Sequence, residues 1–224
     1  MMRTGDRPNT RAVRLAVSPL SPSSRAIARA AAILRKGGLV AFPTDTLYAL
    51  GADARNPRAI EDVFAAKGRD CRSPVPILVA DVAMAIQLVG ELPQIAVQLA
   101  ARYWPGPLTL VLWAPHEMCT LLTAGTGRIG LRVPDATVAL ALIRRFGGPV
   151  TGTSANRSGG VDPKDAHEVL CQLGSRLDLV LDAGLVAGGR SSTVVDVTVS
   201  PPIIIRPGPI QHEEILSLLR GSMT

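Results

Sequence analysis

Two hydrophobic patterns alternate along the chain: short continuous apolar runs that suit buried strands, and one-sided stripes at helical spacing. Arg14 to Val17 predicts a first strand, broken by Pro19 and Pro22. Ser24 predicts the cap of a helix to Arg35, with Ile27, Ala31 and Leu34 on one face and Gly37-Gly38 as its stop. Leu39 to Phe42 reads as a buried strand that runs into a polar elbow, Pro43 to Tyr48. Asn56-Pro57 offers an N-cap and an N1 proline for a helix through Ala66. Further strands are predicted at Val75–Val79, Leu108–Trp113, Ile129–Val133, Val150–Thr153, Leu179–Asp182, Thr193–Val197 and Ile203–Ile205. Helices are predicted after Asp81, over Leu92–Tyr103, Thr137–Phe146 and Asp165–Leu173, and finally over Gln211–Leu219.

Strands and helices alternating in this way predict an α/β fold, a twisted mixed sheet flanked by helices. No shift in composition marks a boundary, so residues 12–219 read as one domain, between a polar, frayed segment 1–11 and a tail 220–224. The length of 224 residues and the 47% hydrophobic content exclude a disordered chain and a disulfide scaffold. No apolar stretch is long enough to cross a membrane. Aromatic residues make up only 3%, which argues against a stacking platform for single-stranded nucleic acid.

The net charge is +6, and of the 24 basic residues only Lys36, Lys67 and Lys164 are lysines. Such a balance suits an anionic ligand, small or polymeric, but base composition alone also produces arginine-rich chains. Cys71, Cys119 and Cys171 are odd in number and far apart, which points to a reducing cytoplasm rather than a disulfide framework. His116, His167 and His212 are equally scattered, so no dedicated protein metal site is predicted. The phosphate-binding glycine motifs of P-loop and dinucleotide folds are absent, as is a serine nucleophile elbow.

Polar clusters at strand ends and loops carry the candidate chemistry. Lys67-Gly68-Arg69 places a point charge and a planar fork around a glycine, suited to a polyphosphate but equally to a solvated helix end. Ser154-Ala155-Asn156 offers hydroxyl, amide and backbone N–H groups to an anion or a ribose, or forms a plain turn. Arg206-Pro207-Gly208 follows an apolar strand and either covers a phosphate or sits on the surface.

These clusters occur in one order with Pro43-Thr44-Asp45-Thr46, Trp104-Pro105-Gly106-Pro107, Leu131-Arg132-Val133-Pro134-Asp135 and Ser192-Thr193-Val194-Val195-Asp196. Together they resemble the Sua5/YciO/YrdC family of L-threonylcarbamoyladenylate synthases over about residues 12–219, in a short single-domain form. The resemblance implies a YrdC-like fold with a large basic cavity. It implies a nucleotidyltransferase that makes threonylcarbamoyl-AMP and pyrophosphate from L-threonine, bicarbonate and ATP with Mg²⁺. Downstream proteins would transfer the threonylcarbamoyl group to position 37 of tRNA. Carried over by motif, Thr46, Arg132, Gly152 and Ser192 look like threonine contacts. Arg69, Ser73, Arg128, Ser154, Asp162 and Arg206 look like ATP contacts, and Lys67, Arg69, Ser154 and Asn156 form the catalytic set. Asp45 is a candidate outer-shell ligand of the magnesium. The chain departs from the pattern at Leu78, where many members carry a histidine, and at Ser73, where asparagine is common. A non-catalytic RNA-binding or ribosome-assembly module using the same cavity is the alternative, and weak binding of tRNA or double-stranded RNA is a further expectation. A carbamoyl-transfer domain also has this fold but belongs in a much longer chain.

Overall fold

The structure, a computed structural model, describes residues 12–221, so the readings of 1–11 and 222–224 lie outside the described residues. The strands form two mixed sheets rather than one. The first holds β1 (Val13–Ala16), β9 (Leu179–Asp182), β2 (Val40–Pro43), β3 (Tyr48–Gly51) and β8 (Thr153–Ser154), in that spatial order. The second holds β11 (Ile203–Arg206), β10 (Thr193–Asp196), β5 (Leu108–Trp113), β6 (Arg128–Arg132), β4 (Ile77–Leu78) and β7 (Val150–Thr151). In the first sheet β1, β9 and β2 run parallel, and β3 returns antiparallel to β2. The polar elbow after Phe42 is therefore the turn of a hairpin.

Helices fill both faces of the first sheet, as its doubly buried strands require. On one face α1 (Ser24–Arg35) packs against α6 (Thr137–Phe146), burying Ala30, Ala31 and Leu34 with Val138, Leu142 and Phe146. On the other lie α2 (Pro57–Lys67) and α7 (Ala166–Leu173), through Ala59, Val63, Val169 and Leu173. Ile60 and Phe64, on the neighbouring face of α2, join the core of the second sheet, so α2 is shared by both. Asn56 caps α2 as predicted, its Oδ1 accepting from the N–H groups of Arg58 at 3.1 Å and Ala59 at 3.4 Å. Ser24 does not cap α1. It is the first helical residue, and Ser23 before it makes no side-chain capping bond.

The run Val150 to Thr153, read as one strand, is split. β7 belongs to the second sheet and β8 to the first, and Gly152 is the single residue between them. A Cβ on Gly152 would lie 2.5 Å from Leu78 Cγ, so only glycine lets the chain cross here.

Candidate active site

A cavity of about 370 Å³ opens where the two sheets meet. The first sheet contributes Thr44, Thr46, Tyr48, Ala49 and Ser154; the second contributes Leu78, Thr109, Val111, Gly130, Arg132, Val194 and Arg206. The period of two along β5 and β6 aims Thr109 with Val111, and Gly130 with Arg132, at the same side.

Arg132 is buried at the floor with its guanidinium oriented from three directions. Its Nε donates to the Gly106 carbonyl at 2.9 Å, Nη1 to Thr46 Oγ1 at 2.8 Å and Nη2 to Asp45 Oδ1 at 2.5 Å. Asp45 Oδ1 also accepts from the Asp135 N–H at 3.0 Å. Asp45, expected near a metal, is therefore engaged as the counter-ion of Arg132. Burial pulls the Arg132 pKa below the usual arginine range, while the Asp45 carboxylate opposes the shift. A guanidinium carries five N–H donors, so one on each terminal nitrogen is left unused by these three bonds.

The rim is also basic. Arg69 is half-buried, and donates through Nε to the Ser73 carbonyl at 3.2 Å and through Nη2 to the Pro74 carbonyl at 2.9 Å. Arg206 donates to the Ser192 carbonyl at 2.9 Å and to Ser192 Oγ at 3.1 Å. Ser192 Oγ in turn meets Thr109 Oγ1 at 2.7 Å. Desolvation lowers the pKa of Arg69, and the nearby charge of Arg206 lowers it further. Arg206 is lowered by desolvation and supported by Asp162. Like charges lining one cavity favour a polyanion.

Lys67 does not join this rim. Gly68, at the end of α2, has φ +60°, and this left-handed residue separates the directions of Lys67 and Arg69. The Lys67 ammonium is buried behind the cavity wall. It donates to the Ser154 carbonyl at 2.5 Å, the Asn156 carbonyl at 2.7 Å and Asn156 Oδ1 at 3.0 Å. Burial, and then the Arg69 charge, bring its pKa down to about 7, with Asp162 opposing.

Of the residues singled out in sequence, Thr46, Arg69, Ser73, Arg132, Gly152, Ser154, Ser192 and Arg206 line this one cavity. Lys67 and Asn156 stand behind it. Asp162 sits at its edge, accepting from Ser191 Oγ at 3.5 Å. Arg128 lies at the far end of β6, donating to Asp196 Oδ2 at 3.0 Å with its guanidinium 5.1 Å from the Trp113 ring centre. Thr109, Tyr48 and Leu78 were not singled out as contacts of either substrate. Thr109 was legible from strand alternation. The Tyr48 hydroxyl donates to the Gly184 carbonyl at 2.8 Å, and burial raises its pKa to about 12, a bracing role with no local sequence signal.

The Sua5/YciO/YrdC family profile, described as telomere recombination, matches residues 32–208. A threonylcarbamoyl-AMP synthase of Bacillus subtilis is 40% identical over 89% of this chain and 58% of its own length. A putative threonylcarbamoyl-AMP synthase of Mycobacterium tuberculosis is 38% identical over 88% of this chain and 90% of its own. The structure of Pyrococcus abyssi Sua5 with L-threonine superposes with a TM-score of 0.89 at 37% identity, over 92% of this chain and 60% of that one. The chain thus spans little more than half of the Bacillus and Pyrococcus relatives, while the family profile's residues 32–208 include every residue that lines the cavity. With the ordered motifs converging on one basic pocket, the chain belongs to the Sua5/YciO/YrdC family.

Proposed function

We propose that this protein is an L-threonylcarbamoyl-AMP synthase, joining L-threonine, bicarbonate or CO₂, and ATP, and releasing pyrophosphate. The observation that carries the reading is two cationic sites in one cavity: Arg132, braced by Asp45 and Thr46, and the pair Arg69 and Arg206. The first suits the carboxylate of an amino acid and the second suits a triphosphate. The names of the Bacillus and Pyrococcus relatives support the same substrates.

In this mechanism the threonine amine adds to CO₂ and its nitrogen releases a proton to solvent, giving an N-carboxylate. That carboxylate attacks the α-phosphorus, the bond to the β-phosphate oxygen breaks, and pyrophosphate leaves with the electron pair. Arg132 keeps the amino acid's own carboxylate away from phosphorus, which prevents formation of threonyl-AMP. Arg69 and Arg206 neutralise the charge gathering on pyrophosphate. No covalent nucleophile is required; holding the reactants in line supplies much of the rate. Magnesium enters as part of the nucleotide substrate. In this reading the metal is held mainly by phosphates and water. The product would feed threonylcarbamoyladenosine formation at position 37 of tRNA in the cytoplasm. Among the described residues no helix is long and apolar enough to cross a membrane.

The test follows pyrophosphate from purified protein and ATP in CO₂-depleted buffer, then with bicarbonate, with and without threonine. Release that needs both additions supports the reading. Release that ignores bicarbonate overturns it. No release, together with tight RNA binding, transfers the case to the RNA-binding alternative.

A further inference from the structure

From behind the cavity wall to its lining, the side chains of Lys67, Asn156 and Ser154 form a chain of hydrogen bonds in which every direction is determined. In its protonated form Lys67 has three protons and meets three oxygens, two of them backbone carbonyls. Its contact with the Asn156 side chain must therefore be to the amide oxygen. The other end of that amide agrees: Nδ2 donates to the Gly160 carbonyl at 2.9 Å. With the amide orientation fixed at both ends, Asn156 Oδ1 can only accept. The Ser154 hydroxyl, 2.7 Å away, must give it its proton. Ser154 lines the cavity, and with its proton committed backwards its oxygen has only lone pairs to offer forwards. A phosphate oxygen, itself an acceptor, finds no donor in this hydroxyl.

We propose that Ser154 Oγ is an acceptor for an electropositive group of the substrates, and that Lys67 and Asn156 are positioning residues that fix this polarity. This rests on the reaction proposed above. Two sources of such a group exist in that reaction: the N–H of the amino acid, and the cation carried by the nucleotide. Threonine's amine keeps an N–H before and after carboxylation, so an acceptor here orients its lone pair towards CO₂ and then holds the carbamate. Ser154 thus changes from a phosphate contact into an orienting contact of the nucleophile, and Lys67 acts at a distance of two hydrogen bonds from the reactants.

The experiment measures threonine, metal-free ATP and Mg-ATP affinities by calorimetry for the wild type, Ser154→Ala, Asn156→Ala and Asn156→Asp. Threonine- and bicarbonate-dependent pyrophosphate release by the wild type is run alongside, so failure of the parent reaction is seen separately. Ser154→Ala is expected to weaken threonine at least tenfold while metal-free ATP changes less than twofold. A loss confined to Mg-ATP would uphold the acceptor and identify the cation as the group it meets. A tenfold loss of metal-free ATP would show the hydroxyl donating to phosphate and overturn the proposal, as would unchanged affinity for all three ligands. Asn156→Asp keeps an acceptor for Ser154 but sets a carboxylate oxygen against the Gly160 carbonyl, so it should lose threonine affinity, though less than Asn156→Ala. Asn156→Ala frees the hydroxyl to rotate and should reproduce Ser154→Ala. Equal losses in the two Asn156 variants would remove Asn156 from the orienting role.

Discussion

The ammonium of Lys67 has exchanged bulk water for three protein oxygens, and its pKa of about 7 records the cost of that exchange. The sign of the pH effect follows. The unfolded chain holds this proton up to the ordinary lysine range, whereas the folded chain releases it near neutrality. The destabilisation is complete below about pH 7 and lessens as pH rises towards the unfolded value. Relative to Lys67→Met, wild-type stability is expected to rise between about pH 7 and pH 9, by up to about 1.4 kcal/mol per pH unit. Urea midpoints of both proteins across that window check it, and a constant gap would contradict it. At the rim, Arg69→Ala is expected to cut turnover more than ~10-fold, about 1.4 kcal/mol of transition-state stabilisation, with the fold retained. Steady-state kinetics beside circular dichroism decide this. Arg132→Lys should raise the threonine KM at least ~10-fold, because an ammonium cannot hold Asp45, Thr46 and a carboxylate in one plane.

Helix α2 ties the cap at Asn56 to the functional turn at Gly68, with both sheets packed along its length. Asn56→Ala is expected to cost about 1 kcal/mol, lowering Tm by roughly 2–4 °C, measurable by calorimetry. This element was legible because its start and periodicity are written in adjacent residues. So were α6 and β5, whose observed limits, Thr137–Phe146 and Leu108–Trp113, match the reading. The division into two sheets was not legible. β4, β7 and β8 are two residues each, too short to show a period, and they are defined by partners far away in sequence. β3 was missed for a related reason: Tyr48 to Gly51 is buried throughout, so it shows no alternation. The four residues of α5 (Thr120–Thr123) carry no helical stripe to detect. In the site, motif order brought most of the lining together. The destination of Lys67 was hidden, because it depends on the left-handed turn at Gly68 and on a loop returning some ninety residues later.

At the scale of the whole molecule, the net charge of +6 is matched by a cavity whose arginines depress one another's proton affinity. A polyanion relieves that repulsion and binds only the folded chain. ATP or pyrophosphate at about 100 times its dissociation constant should add about 2.7 kcal/mol, raising Tm by roughly 5–10 °C. Differential scanning fluorimetry at low and high salt should show the shift shrinking as salt screens the rim. Gly152→Ala probes the junction of the sheets, since its Cβ would collide with Leu78. It is expected to cost about 1–3 kcal/mol of stability, read from urea midpoints, and to slow turnover beyond what that loss explains. Arg132 stands on one sheet and Ser154 on the other, and this glycine is where the chain passes between them. In the proposed reaction, the gap that the carbamate crosses to reach phosphorus is therefore a dimension of the framework. A displacement of ~1 Å between reacting groups costs about a hundredfold in rate. Residues such as Leu142 and Ala31, deep between α1 and α6 and touching no substrate, then act as the shims that hold that gap to tolerance.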